Sequence, residues 1–295
     1  MTDMPGITAA VTEGAAQAAP ASASATQAGP KASDKQFAVF WSALSHPAVT
    51  SVLSLTAFVL LWWLLAAWNN RAVQLPTPGA VWAALVDLAE DGELMENVQL
   101  SFGRLLISMA VAVAVALPLG FAMGLSDTLR AYVDPTVEML RPISGIAWIP
   151  LGLFIFGIGD VLPVFIMAYV AFFPVLLSTV AGVRGVDRKL IAAARTMGVP
   201  HWRIVRRVVM PASLPTVMVG VRLAFAGAWA AIVAAELIGA PSGLGFAIEW
   251  YRELLASPKV FAYIVVVSIV GRLCDLALRW LQRRLTPWTP AEARA

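Results

Sequence analysis

Two groups of residues in this sequence have types and spacings that could do work. The first lies in the stretch IAAARTMGVPHWRIVRRVVMPASLPTVMVGVR, from Ile191 to Arg222. A small-residue triplet, Ala192-Ala193-Ala194, is followed by Gly198, nine intervening residues, and then Val208, Met210 and Pro211. The chemistry on offer is contact, not catalysis. Three alanines continue a helix without bulky side chains, so another surface can come close to the backbone. Gly198 can take the positive φ that ends a helix and turns the chain back, and Pro200 stops that helix from continuing. Beyond the turn, Trp202, Ile204, Val205, Val208 and Val209 offer an apolar face, with Arg203, Arg206 and Arg207 on the polar side. The expectation is a short helix, a turn and a second amphipathic helix along a membrane, together an elbow over about residues 182–215. A basic amphipathic segment beside a membrane is often only an interfacial anchor; the fixed spacing of alanines, glycine and proline sets this one apart.

The second group consists of charges inside apolar runs: Arg222, Glu236, Arg272 and Asp275. Charge in a membrane span is costly and marks a functional candidate by default. These four suit either a solute pathway or a structural tie. Arg272 and Asp275 are three residues apart, and Asp275 and Arg279 four, so they can pair on one helical face as a self-neutralising cluster. Arg222 and Arg141 can equally extend to the interface. Trp62, Trp63, Trp68 and Trp148 read as lipid-interface anchors.

Other chemistry is excluded. No phosphate-binding G-x-x-x-x-G-K-[ST] loop occurs, and Gly243 and Gly245 lack the strand-to-helix setting of a nucleotide motif. There is no Ser-His-Asp set and no paired carboxylates. The lone Cys274 and the distant His46 and His201 predict no disulfide and no metal site. The chain is not expected to be an enzyme or to hold a cofactor of its own.

The elements that position these residues are membrane helices. The chain has 295 residues, 59% of them hydrophobic and only 13% charged, with a mean hydropathy of +0.77. Globular domains are nearer half apolar and a quarter charged, so this chain belongs in lipid. Its net charge of +3 comes from arginines at span edges, which points to bilayer orientation and not to nucleic acid. A helix needs roughly 20 apolar residues to cross the hydrocarbon. Six spans meet that length or approach it, over about residues 49–68, 105–125, 139–156, 161–180, 217–237 and 260–281. The third contains Arg141, Pro142 and Pro150, and the second Pro118 and Gly120. Prolines within spans fit where neighbouring helices or cavity water satisfy the freed carbonyls. The fold class is an all-α membrane protein of about six transmembrane helices spanning residues 36–285. Residues 1–35 are rich in Ala, Ser, Thr, Gln, Gly and Pro and are expected to be a disordered tail, without the charged start and apolar core of a signal peptide. Residues 286–295 form a short C-terminal tail.

Charge asymmetry suggests the orientation. Arg184, Arg188, Lys189, Arg195, Arg203, Arg206 and Arg207 fall between spans four and five, and Arg283 and Arg284 follow span six. Lys31 and Lys35 precede span one. Lys and Arg mark the cytoplasmic side, so both termini and the elbow are expected there. The loop after span one carries Asp87, Glu90, Asp91, Glu93 and Glu96 against Arg71 and Arg104. In it, Thr77 suits an N-cap and Pro78 a first turn. Val81, Leu85 and Leu88 then recur at helical spacing, as in a short amphipathic helix on the outer face.

The Ala192-to-Pro211 pattern resembles the EAA loop of ABC-importer permeases: E-A-A, three residues, G, nine residues, I, one residue, L-P. Ala192 stands at the glutamate position, so any contact made by that glutamate is missing here. The resemblance extends over about residues 75–285. Leu75-Pro-Thr-Pro78, Arg141-Pro142-Ile143, Ala147-Trp-Ile-Pro-Leu151, Phe156-Gly-Ile-Gly159, Phe172-Phe-Pro-Val-Leu176, Ala235-Glu-Leu-Ile-Gly-Ala240 and Gly243-Leu-Gly245 are similar to permeases of the nitrate, aliphatic sulfonate, taurine and bicarbonate type. That resemblance implies a type I importer permease bundle with a cytoplasmic coupling helix in a bacterial inner membrane. It also implies a second copy of the chain, a pair of cytosolic ATPases that bind ATP and Mg, and an extracytoplasmic binding protein delivering a small, anionic solute. Ala192, Ala193, Ala194, Gly198, Val208 and Pro211 are then the residues expected to meet the ATPase. The alternative, a transporter driven by an ion gradient, would predict inverted repeats and paired broken helices.

Overall fold

The structure, a computed structural model, describes residues 47–69 and 74–288. The expected tail at residues 1–35, Lys31, Lys35, Arg71 and the last seven residues lie outside these. The chain divides into Met1–Phe58 and Val59–Ala295. In the first unit the described residues are helical, and Val52, Leu53, Leu55 and Phe58 are exposed.

Every regular element among the described residues is helical. In chain order these are α1 (Pro47–Asn69), α2 (Pro78–Glu90), α3 (Glu93–Leu125), α4 (Asp127–Leu140), a 3-10 turn (Gly145–Trp148) leading into α5 (Ile149–Phe156), and α6 (Val161–Arg184). They continue with α7 (Arg188–Thr196), α8 (His201–Ile204), a π-helical turn (Val205–Val209), α9 (Met210–Gly239), α10 (Leu244–Glu253) and α11 (Ser257–Leu285). Among the described residues five helices are long and apolar enough to cross a membrane, and a sixth span arises if the bent pair Asp127–Leu140 and Gly145–Phe156 is counted as one.

That pair corrects the expected third span. Residues 139–156 do not form one straight helix: the two parts are bent by 83°. Pro142 has no N–H with which to continue the ladder, and the backbone only resumes helical pairing at Gly145. The 12 residues Gly145–Phe156 reach about 18 Å, well short of the ~30 Å of hydrocarbon. The second and fifth spans are longer than expected. One runs from Glu93 to Leu125, the other from His201 to Gly239.

α6 is the central helix. Its Met167, Ala171, Val175 and Leu176 pack against Leu105, Met109, Ala112 and Ala116 of α3 and against Ala224, Ala228 and Ile232 of α9. The α3 and α9 residues recur at three and four, which puts each set on one stripe. Small residues set how close the helices come, as is general where lipid removes the hydrophobic drive between them. A Cβ on Gly120 would lie 2.7 Å from Thr179 Cβ and 3.1 Å from the Leu176 carbonyl oxygen. Gly120→Val is therefore expected to destabilise the α3–α6 contact by about 1–3 kcal/mol and to lower the thermal midpoint in detergent. Gly79→Ala, where a Cβ meets nothing within 4 Å, should leave that midpoint unmoved.

A second core closes one end of the bundle. Val81, Ala84 and Leu88 of α2 pack with Leu244, Ala247, Ile248 and Tyr251 of α10 and Tyr263 of α11. The Thr77 cap forms as the sequence suggests, its Oγ1 accepting from Ala80 N at 3.3 Å. α2 is thus part of the packed body through its inner stripe. Trp62 also joins this core, stacked on Phe261 with ring centroids 5.8 Å apart. Trp148 lies 5.7 Å from Tyr169 and is half-buried. Neither has the free setting of an interface anchor, whereas Trp63 and Trp68 are exposed.

Tyr251 ties this end together. Its hydroxyl donates to Glu93 Oε2 at 2.6 Å. Burial, reinforced by that carboxylate, pushes its pKa up to about 12, so the phenol stays a neutral donor across physiological pH.

Candidate functional site

The elbow is built by local rules. Asp187 caps α7, its carboxylate accepting from Lys189 N at 2.8 Å. At the other end Gly198 takes φ +73°. Val199 N donates to Ala194 O at 3.2 Å and Gly198 N to Arg195 O at 3.0 Å. This is the 6→1 and 5→2 pair of a Schellman cap, and Val199 and Ala194 supply its apolar contact. The turn is therefore rigid, and a Cβ at Gly198 would meet nothing within 4 Å. Ala192, Ala193 and Met197 are exposed around it.

The triplet splits. Ala194 is buried against Val183, Val186, Ile204 and Val209, so it anchors the elbow to its own chain and offers no surface to a partner. Val208 is half-buried and packs against the same cluster, and Pro211 is half-buried. The outward surface includes Ala192, Ala193, Arg195, Thr196, Met197 and Gly198.

The second half of the elbow departs from the expected separate amphipathic helix. It runs through the π turn Val205–Val209 directly into α9. Pro211 has no N–H for Arg207 O, and its ring crowds that carbonyl; the π turn lies just before it. Trp202 is also not on the buried face. It is 59% exposed, with the Arg203 guanidinium 5.2 Å above its ring. Ile204, two residues on and so on the opposite side of the helix, is the buried one.

At the other end of the bundle Glu236 lies at the centre of a buried polar network. Its side chain is wholly buried and its Oε1 is 2.7 Å from Arg104 Nη1. Ser101 Oγ donates to the carboxylate at 2.7 and 2.8 Å, and Gly245 N donates to Oε2 at 2.9 Å. Leu244 N donates to Ser101 Oγ, and Gly243 N to Asn97 Oδ1. Three N–H groups at the start of α10 would otherwise lack partners; here each has one, and the carboxylate sits where the helix dipole favours negative charge. Arg104 completes the tie through Asp160 Oδ1 at 2.6 Å and the Ser242 carbonyl at 2.7 Å. Gly243 takes φ +107°, and its hydrogen occupies space that a Cβ would contest with Arg104 and Glu236. This network joins α3, α9 and α10 with Asp160 at the start of α6; it holds the loop 240–244, with the Glu236 side chain wholly buried inside it.

Arg222, Arg272 and Asp275 meet in a third cluster. Asp275 accepts from Arg279 at 2.9 Å, Arg272 at 3.3 Å and Arg222 at 3.4 Å. Arg222 also donates to Gln282 Oε1 at 3.2 Å. These contacts link α9 to α11 and give Arg222 partners within the chain.

Sequence reasoning did not single out Arg104, which the span boundary at residue 105 left in a loop. A signal was present. Asn97, Ser101, Arg104 and Ser108 recur at four, three and four, a polar stripe on one face of an otherwise apolar helix, and all four are buried.

A cleft of about 650 Å³ opens between the break after α4, α6 and α9. Its lining includes Arg141, Ser144, Tyr169, Phe173, Leu177 and Ser178. Tyr169 donates to the Leu140 carbonyl at 2.6 Å, which fixes the turn that carries Arg141. The Phe173 ring packs edge-on against Tyr169 at 5.2 Å. Arg141 is the one charged residue among those lining the cleft. The cleft can hold a small solute with a polar head and a short apolar part.

Residues 112–287 match the family described as binding-protein-dependent transport system inner membrane component. The chain is 36% identical over 251 residues to the taurine transport system permease protein TauC of Escherichia coli (strain K12), covering 83% of this chain and 91% of that protein. It is 36% identical over 217 residues to the putative aliphatic sulfonates transport permease protein SsuC of Bacillus subtilis (strain 168), covering 74% of this chain and 79% of that one. Among solved structures it is similar to a chain of the MetNI methionine ABC transporter in an inward-facing form, with a TM-score of 0.60 at 20% identity over 67% of this chain and 98% of that chain. At that identity the likeness speaks for the fold.

Proposed function

We propose a mechanism from the premise that this chain belongs to the family of binding-protein-dependent transport system inner membrane components, as a multi-pass permease subunit of an ABC importer of the taurine and sulfonate type. On this reading it is driven by ATP and moves a small anionic solute. The elbow faces the cytosol, with both termini on the same side. Ala192, Ala193, Met197 and Gly198 sit against a cytosolic ATPase that binds ATP and Mg, and a second ATPase serves a second copy of this chain. A binding protein docks at the opposite end, where α2 and α10 form the surface, and releases solute into the path between the two copies.

The observation that carries this reading is the elbow: a rigid, cap-locked turn with small residues outward and no space filled around Gly198. Behind it, Ala194 and Ile204 bind it to the end of α6 and to the π turn that runs into α9. Force applied at the turn passes into those two helices as a unit, because they share the bundle core. The π turn Val205–Val209 joins the elbow to the fifth span, and such turns are frequent at functional sites.

The test is uptake by proteoliposomes holding the chain with its ATPase, using radiolabelled taurine and ethanesulfonate as probes. Uptake is expected only with ATP on the elbow side and binding protein on the other. Accumulation driven by a proton or sodium gradient without ATP would replace this reading with a secondary transporter.

A further inference from the structure

We infer that the cleft between the α4–α5 break, α6 and α9 is a station for the acid group of the transported anion, and that Arg141 is the residue that selects for negative charge there. This rests on the importer reading above and adds to it a place and a residue.

Three observations converge. The first is charge. Arg141 is the one ionisable cation of the lining, and no carboxylate shares it. Arg104 and Arg222, by contrast, are engaged with carboxylates inside the chain. Among the described residues no hydrogen bond or ion pair ties the Arg141 guanidinium to another side chain, and the residue is exposed. Its five donors in a planar fork match a sulfonate or carboxylate, which can take two of them at once.

The second is placement. Arg141 follows the last residue of α4, where the chain bends by 83°. Its own N–H donates to Val137 O at 2.9 Å, and Tyr169 holds the preceding carbonyl. A residue on such a turn is held by backbone bonds, while its side chain stays available to a passing solute. The third is lining chemistry. Ser144 and Ser178 add hydroxyls to the lining, and Phe173, Leu177 and Tyr169 offer an apolar wall. An alkyl chain with an anionic head satisfies both; a cation does not. Binding here need only be weak, since a transport station must also release its solute.

An anionic lipid phosphate has the same head-group chemistry, so the experiment separates the two sources. The full chain with its ATPase, carrying Cys274→Ala and Leu177→Cys, is reconstituted in vesicles of phosphatidylcholine alone or with phosphatidylglycerol. Modification rates are compared for the anionic sulfonatoethyl and the cationic trimethylammonioethyl methanethiosulfonates. The anionic reagent is expected to react preferentially in both vesicle types. That preference falls roughly tenfold in Arg141→Gln, the size expected for one partly screened charge, and returns in Arg141→Lys. Leu254→Cys, exposed between α10 and α11, shows no change with Arg141. Millimolar ethanesulfonate slows modification of Leu177→Cys and choline does not, a readout that needs no change at Arg141 and so survives a misfolded variant. An unchanged preference in Arg141→Gln, no protection by ethanesulfonate, or a preference that phosphatidylglycerol abolishes would overturn the assignment, the last giving Arg141 to lipid. Modification needs neither ATP nor coupling, so failure here leaves the importer reading standing.

Discussion

Gly198→Trp is expected to abolish uptake while the protein remains in the membrane with its normal thermal midpoint shifted only slightly. The variant carries a left-handed backbone at φ +73° that costs an L-residue about 1–2 kcal/mol. Its ring enters open space, not the core, because a Cβ there has no neighbour within 4 Å. The damage therefore falls on whatever surface meets the turn. Losing a central contact of that kind costs about 2 kcal/mol or more, which is roughly a 30-fold loss of ATPase association. Gly198→Asn keeps the left-handed conformation at lower cost with a short side chain, and should retain most uptake. Co-purification of the ATPase and vesicle uptake check both. Normal uptake in Gly198→Trp would remove the turn from the contact.

Glu236→Leu is expected to be the most destabilising single change in the protein. It leaves Arg104 buried beside no carboxylate except the exposed Asp160, whose side chain is 73% accessible. It also strips partners from Gly245 N and Ser101 Oγ. Breaking one side of a buried pair costs about 3–5 kcal/mol. Monodisperse protein should be lost on extraction, as size-exclusion profiles would show. The double change Arg104→Met with Glu236→Leu removes the stranded charge and should recover part of the loss. Asp160→Asn, at the exposed end of the same network, should change stability by no more than about 1 kcal/mol. Equal yields of Glu236→Leu and wild type would show that the network is not what holds α10 to α3 and α9.

These two residues illustrate what the sequence made legible. Gly198 was readable because its constraint is local: a helix, a positive φ and a following proline all lie within a few residues. The Thr77 cap and the inner stripe of α2 were readable for the same reason. Glu236 announced itself as a charge in an apolar run, yet its role depends on Ser101, Arg104 and Gly245, which lie as far as 135 residues away. Only the packing of α3 against α9 brings them together. Over the third span the apolar residues outnumber the breakers and read as one helix, while the bend is decided by the one N–H that Pro142 lacks. Trp202 falls outside the buried face because the π turn and the break at Gly198 shift the helical phase on which an apolar face depends. The resemblance placed the chain among importer permeases, and the fold agrees; Ala194 shows its limit, since a motif residue can serve the loop's own anchoring and not the partner.

In the proposed mechanism the turn at Gly198 receives force from a separate ATPase. Its most direct test places a single cysteine at Met197, which is 74% exposed beside the turn, in a Cys274→Ala background, and attaches a short photo-crosslinker. In membranes containing the assembled transporter, the adduct is predicted to join this chain to the ATPase, with a yield that changes between the ATP-bound and nucleotide-free states. Labelling of that cysteine only from the side facing the binding protein, or no ATPase adduct in either state, would contradict the account.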